Sequence, residues 1–249
     1  MNIYVCLSNV PDTTTRIKYK PGNKEVDFSG VQWIINPWDE LALTRALELK
    51  EANPTIIGKI VTITVGKADV EPTIRKALAI GADEAIRIDA TPEDTFSTAT
   101  YLSEVLVNEP YGLILCGVES SDYNGWSVGG MLSELLSIPS VSAVSSLNFE
   151  GEKPIVTREI DGGKQQVATP VPSLLVVQKG IAIFPRIPSM RGIMTARTKP
   201  LKVVTATEIN SLIKVTEYQA PPQKSSCKMI DPENLDQLAD LLHNEARVI

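Results

Sequence analysis

The residues with the clearest chemical potential lie in one crossing, at positions 113–136. An apolar run from Leu113 to Cys116 has the length of a buried strand, and Gly117 ends it. A polar loop follows, from Glu119 to Trp126. From Ser127 the apolar spacing turns helical and predicts Val128, Met131, Leu132, Leu135 and Leu136 on one face. A strand, a polar loop and a helix start is where parallel α/β sheets hold phosphates, because unpaired N–H groups and the helix dipole point at the loop. Gly125, Gly129 and Gly130 would let a phosphate or ribose approach the backbone. No Gly-Lys-Ser/Thr follows, so a nucleotide here would be held and not hydrolysed. On spacing alone, an ordinary βα turn with glycines for packing fits the same residues.

Nothing else in the chain forms a nucleophile, base and acid set. His243 is the only histidine, in a terminal amphipathic stretch where a solvated position is expected. Cys6, Cys116 and Cys227 are far apart and have no metal-ligand spacing, so they read as reduced thiols, the first two in strand cores. Asp161 and Glu159 fall on a predicted hairpin, where a turn role suits Asp161. Arg75 and Lys76 read as a solvated helix face. The net charge of −6 over 249 residues argues against a nucleic-acid binder. No apolar segment is long enough to span a membrane. The first residues enter a strand at once, leaving no room for a leader, so a cytoplasmic location is expected ahead of the mitochondrial matrix.

The elements that must position the crossing follow a repeated βα order. Strands are predicted at 3–7, 59–65, 84–88 and 113–116, and helices at 37 to about 53, from 69 or 70 to 80, at 95–107 and from 127. Asn36-Pro37-Trp38-Asp39 begins the first helix, with Asn36 as cap, Pro37 at the first helical position and Asp39 as first-turn negative charge. Residues 13–27 read as a hairpin turning at Pro21-Gly22-Asn23. This order implies a three-layer α/β/α fold around a mostly parallel sheet, with ligands bound beyond the strand C-termini. The Ser8 loop, Gly66 and the 120–127 loop then share one rim, which Asn36–Asp39 could join. Residues 141–149, 155–160 and 166–168 suggest antiparallel additions, and 174–177 returns to the core. Residues 184–197 are apolar but interrupted by prolines and arginines, which suits either an irregular docking loop or a core-covering connection. The expected organisation is a nucleotide-binding domain over 1–200 and a C-terminal strand, arm and helix over 201–249. The last helix is placed at 232–245, with Leu235, Leu238, Leu241 and Leu242 as its stripe.

Several of these segments, taken together in order, resemble the β subunit of electron-transfer flavoprotein. They are Asn36–Asp39, the strand end at Gly66, Ala79–Asp83, Asp122–Met131, Arg158–Gly163 with Pro172, and Pro185-Arg186 with Gly192–Arg197. The stretch from Val156 to Val177 is similar to the family's signature region, and the resemblance covers almost the whole chain. It implies a heterodimer with an α subunit, no catalytic residues, and an FAD held mainly by that α subunit. Electrons would pass from acyl-CoA-type dehydrogenases, docking transiently, to a membrane-linked or other acceptor. It also implies AMP against Cys6, Asn36, Pro37, Trp38, Asp39, Val65, Asp122, Asn124, Gly125, Trp126, Ser127, Val128, Gly129, Met131 and Ser133. Met190 would be the inserting residue of the docking loop, with Arg191, Ile193 and Met194 around it, and Glu159 matches an acid thought to steady the FAD-bearing region. The C-terminal arm would pack on the α subunit.

Relatives that bifurcate electrons hold a second FAD in place of AMP and carry an Asp-Gly-Asp-Thr-Ala-Gln-Val-Gly type of loop. Here Gly125 and Ser127 replace its Thr and Gln, and bulky Tyr123 and Trp126 are added. That favours AMP, with an NADH-oxidising subunit carrying a second FAD as the alternative. An adenylating enzyme would need a Ser-Gly-Gly type of loop after the first strand, and Ser8-Asn9-Val10-Pro11 is not one. A stand-alone nucleotide sensor is disfavoured by the docking loop and the arm.

Overall fold

The computed structural model describes residues 1–224 and 226–249. In chain order, β1 (Asn2–Cys6) leads to a short β2 (Asn9–Pro11), the hairpin β3 (Lys18–Tyr19) and β4 (Val26–Asp27), and β5 (Trp33–Ile35), which pairs antiparallel with β2. Then come α1 (Pro37–Ala52), β6 (Ile60–Val65), α2 (Glu71–Ile80), β7 (Glu84–Asp89), α3 (Thr95–Leu106), β8 (Tyr111–Gly117) and α4 (Val128–Leu135). The rest comprises β9 (Ser140–Glu150), β10 (Lys153–Ile160), β11 (Gly163–Ala168), β12 (Ser173–Val177), α5 (Met190–Ala196), β13 (Leu201–Thr205) and α6 (Leu235–Asp240).

Nine strands form one sheet in the order β11-β10-β9-β12-β8-β1-β6-β7-β13. All neighbours from β9 to β13 are parallel, and only β10 runs against its neighbours. The central strands read as unbroken apolar runs because helices cover both faces. Alternation decides which layer each side chain enters. Ile3 and Val5 join Leu43, Ala46, Ile74 and Leu78 under α1 and α2, while Tyr4 and Cys6 join Ala99, Leu102 and Leu132 under α3 and α4. The expected three-layer α/β/α fold is therefore the observed one.

The departures have local causes. Residues 8–12 are not only a loop, because β2 finds backbone partners on β5. Asp89 extends β7 by pairing with Thr205 of β13, and β13 carries the sheet past residue 200. On α4, Leu132 is buried and Val128 and Leu136 half-buried, but Met131 and Leu135 face solvent. The predicted stripe is wider than the contact α4 makes, since this short helix rests on α3 and β12 along one edge.

Residues 184–197 are not irregular throughout. Ser189 caps α5 by accepting the Gly192 N–H at 3.0 Å, and the prolines fall before this helix. Two cations exchange helix ends across the α2–α5 contact. Arg75 donates to the carbonyls of Ala196 and Lys199 at 2.8 and 2.9 Å, and Lys199 Nζ to those of Leu78 and Ala82 at 2.9 and 2.6 Å. Arg186 forms a two-pronged pair with Glu51, both contacts at 2.7 Å. These anchors hold the segment while Met190 and Met194 stay 77% and 72% exposed.

The final helix is also shorter than expected, with α6 continuing as a π-helical turn, Leu241–Ala246. Its leucine stripe meets no core of this chain. Among the described residues none after Ala196 is buried.

Gly192 is where α5 touches α2 most closely, because a Cβ there would overlap the Ala79 carbonyl oxygen. Gly192→Ala is expected to push α5 off α2 and cost about 1–3 kcal/mol, as overpacking does. Urea unfolding reads the loss, and a midpoint within error of wild type would refute the contact.

Candidate functional site

The carboxyl ends of β1, β6 and β8 open onto one rim, and two side chains from the start of α1 tie that rim together. The expected cap at Asn36 does not form, because the side chain is engaged elsewhere. Its Nδ2 donates to the Glu119 carbonyl at 2.7 Å and its Oδ1 accepts the Ser121 N–H at 3.2 Å. One turn on, Asp39 accepts the Ser8 N–H at 2.8 Å and the Gly117 N–H at 3.0 Å, one on each carboxylate oxygen. The loops after β1 and β8 are thus fixed against α1. Gly117 is required by this closeness: a Cβ there would overlap Asp39 Oδ1 and lie 2.7 Å from Trp38 Cβ.

Between these loops is a cavity of about 180 Å³. Its floor holds Cys6, Ile63, Val65 and Cys116, and its walls come from the loops after β1, β7 and β8 and the start of α4. Of the residues singled out from the sequence, Cys6, Asp39, Val65, Asp122, Gly125, Trp126, Ser127 and Val128 line it. Asn36 stands behind the wall as its brace, and Pro37 and Trp38 belong to the same helix start without lining the space. Asn124 is at the loop tip, and Gly129 packs on Val176 under the helix. Met131 faces solvent, and Ser133 is buried against Ser140, 3.1 Å away, outside the cavity.

No side chain caps α4, so the N–H groups of its first turn remain open beside Ser127 and Val128. The loop before it is held in a costly form, since Asn124 and Trp126 both take left-handed backbone angles, φ +49° and +52°. For a residue as bulky as tryptophan that is a local outlier. Its indole N–H is held by Glu119 Oε2, and the residue is 62% exposed.

One wall is absent from the sequence reading, namely Pro92, Glu93, Asp94, Thr95 and Thr98. They surround the start of α3, where Asp94 and Ser97 form a reciprocal cap. That Asp-x-x-Ser pattern after β7 is the signal that puts a third helix start on the rim. The same wall meets the C-terminal arm. Ser211 donates to Glu93 at 2.8 Å, and the N–H groups of Leu212 and Ile213 reach Asp94 at 2.6 and 3.1 Å. Burial works to raise the Asp94 pKa, but the bonds from Ser97 and from the Leu212 and Ile213 N–H groups outweigh it and hold the carboxyl below its ordinary value.

The floor is chemically quiet. The hydrogen bond with Cys6, and then burial, push the Cys116 thiol well above its ordinary pKa, so it is not a thiolate nucleophile. Asp39 is the group poised to titrate. Burial lifts its carboxyl to about 7, against the downward pull of the Ser8 N–H, the Asn36 side chain and the Gly117 N–H. A folded-state pKa above the unfolded value means that folding takes up a proton. This contribution to stability is full below about pH 4, declines as pH rises to about 7, and is flat beyond. Asp39→Asn removes that slope and leaves one of the two backbone N–H groups facing an amide NH₂. Its expected cost is about 1–3 kcal/mol at pH 5, shrinking towards pH 8, where the wild type has lost the contribution of the protonated carboxyl. Denaturant unfolding at the two pH values tests this, and an equal loss at both would exclude Asp39 as the titrating group.

Residues 25–209 match the family model described as "Electron transfer flavoprotein domain". Along its full length the chain is 33% identical to the electron transfer flavoprotein subunit beta of Bacillus subtilis (strain 168), covering 100% of both proteins. It is 32% identical to the protein of that name from Syntrophomonas wolfei, covering 98% of it, and 30% identical to the mitochondrial one of Oryza sativa subsp. indica, covering all of it. The βα rim, the Asn36–Asp39 start and the match from end to end agree: this chain belongs to the electron transfer flavoprotein family, as a relative of its β subunits.

Proposed function

We propose that the chain is the β half of a heterodimeric electron carrier, with AMP held at the β1–β6–β8 rim and FAD held mainly by the α subunit. The family makes it an electron-transfer subunit of a flavoprotein. The observation that carries the nucleotide part is the open start of α4 beside a cavity with an apolar floor. Open N–H groups and the positive end of the dipole suit one phosphate. Strand-end backbone at Cys6 and Val65 suits the edge of a base. Val128 and Ser127 would bind, Asn36 and Asp39 would orient the loops, and no group is set up for bond cleavage. The flavin supplies the one-electron chemistry, and this chain's share is to help place it.

Two surfaces support the partners in this reading. The arm over 207–249 leaves the sheet with Leu212, Ile213, Val215, Met229 and Leu235 exposed, which suits packing on an α subunit. The face of α5 and the residues before it expose Ile183, Phe184, Ile187, Met190 and Met194, with Arg191 and Ile193 beside them, which suits transient docking of acyl-CoA-type dehydrogenases. No helix among the described residues is long and apolar enough to cross a membrane.

Purification with the α partner, denaturation and quantification of released nucleotides test the cofactor assignment. One FAD and one AMP per heterodimer are expected. Two FAD without AMP would refute it in favour of an NADH-oxidising, bifurcating subunit. Separately, Met190→Glu is expected to slow electron acceptance from a dehydrogenase on the order of tenfold, the size of a lost docking anchor, with nucleotide content unchanged. An unaltered rate would remove α5 from the docking surface.

A further inference from the structure

The helix α5 keeps its shape without the usual means. It has seven residues, and an isolated helix of that length is unstable in water. Burial holds it at Ala196, while Met190 and Met194, one turn apart on one face, stay exposed. Its helical form therefore depends on polar contacts with α1 and α2. Ahead of it, the Arg186 N–H donates to Thr44 Oγ1 at 2.9 Å and the guanidinium grips Glu51. Beyond it, Arg75 of α2 donates to the carbonyls of Ala196 and Lys199, and Lys199 donates back to those of Leu78 and Ala82. Each cation thus meets the carboxyl end of the other helix, where orphan carbonyls and the dipole favour positive charge. Arg75, expected on a solvated face, is half-buried, as is Lys199.

We propose that Arg75 and Lys199 are positioning residues for docking: they keep α5 helical and seated on α2, and so fix the spacing of Met190 and Met194 offered to a dehydrogenase. The inference rests on the docking reading of α5 above and adds the residues that preorganise it. Were the last turn of α5 free to fray, Met194 would lose its place beside Met190. A partner would then have to order the helix at every encounter, and that cost is subtracted from binding. Once docked, the wild-type arrangement is regained. The loss therefore falls on KM for the carrier, with kcat kept.

Steady-state reduction of the purified heterodimer by an acyl-CoA dehydrogenase and its acyl-CoA, with the heterodimer concentration varied, tests the proposal. Lys199→Met keeps the apolar stem and removes the charge. It is expected to raise KM for the heterodimer on the order of tenfold, the ordering cost of one or two long side chains, with kcat near wild type. Lys199→Arg, which retains donors for the same carbonyls, should restore most of the loss. Arg75→Met should act in the same direction, and it decides the matter should Lys199→Met fail to fold. A merely structural role would lower the unfolding midpoint and leave KM unmoved. An unmoved KM in both methionine variants, a fall in kcat with KM kept, or no recovery with arginine would overturn the proposal. If Met190→Glu still slows electron acceptance, the docking reading survives that result. If Met190→Glu is also without effect, both fall.

Discussion

The site depends on one constraint: two side chains at the start of α1 hold the loops of two neighbouring strands. Asn36 takes the β8 loop at Glu119 and Ser121, and Asp39 takes the backbone at Ser8 and Gly117. Both residues are nearly fully buried, so their own polar side-chain atoms depend on these four backbone groups as partners. The arrangement sacrifices a side-chain cap on α1 to fix the mouth of a cavity. Pro37 reduces that loss, since its missing N–H is one fewer orphan at the helix start.

That bracing bears on the strained loop beyond it. Left-handed backbone at Asn124 and Trp126 persists only where surroundings over-determine it. Here the loop is pinned at its beginning by Asn36 and along its length by the Trp126–Glu119 bond. The strain leaves the N–H groups of α4 facing open space, because no side chain of the loop turns back to cap them. At the start of α3 the opposite choice was made: Asp94 satisfies the helix, and its remaining oxygen receives the arm. Two helix starts on one wall thus have opposite electrostatic characters, decided by a single aspartate.

Much of this was legible in the sequence. The central strands announce themselves as apolar runs buried on both faces, and the βα order leaves little freedom in the sheet. Asn36 and Asp39 were legible as belonging to a helix start, but propensity could not reveal that their side chains serve other loops, because that depends on contacts 31 to 85 residues away. The wall at Glu93 and Asp94 was missed for a related reason: its helix was visible, but its place on the rim comes from strand order. The face of α4 was overread. Apolar spacing shows which residues share a side, whereas how much of that side is covered depends on a neighbour. Residues 184–197 were underread, since prolines before the helix masked a seven-residue element capped by Ser189.

The topology also separates the two surfaces. The cavity lies at the carboxyl ends of the strands. Glu51, which anchors Arg186, is in the last turn of α1, and Ala79 and Ala82, which meet α5 and Lys199, are at the end of α2. Both helices run back from the rim, so their ends mark the amino side of the sheet. The apolar face on α5 is therefore held at the end away from the nucleotide rim. Its stiffness comes from Arg75, Arg186 and Lys199 engaging helix ends and Glu51, not from burial of its own methionines. Such a platform keeps Met190 and Met194 outward without collapsing onto the core, and a partner meeting it need not disturb the cavity. The direct link between them is the segment 178–189, which leaves the carboxyl end of β12 beside Gly117 and leads into α5.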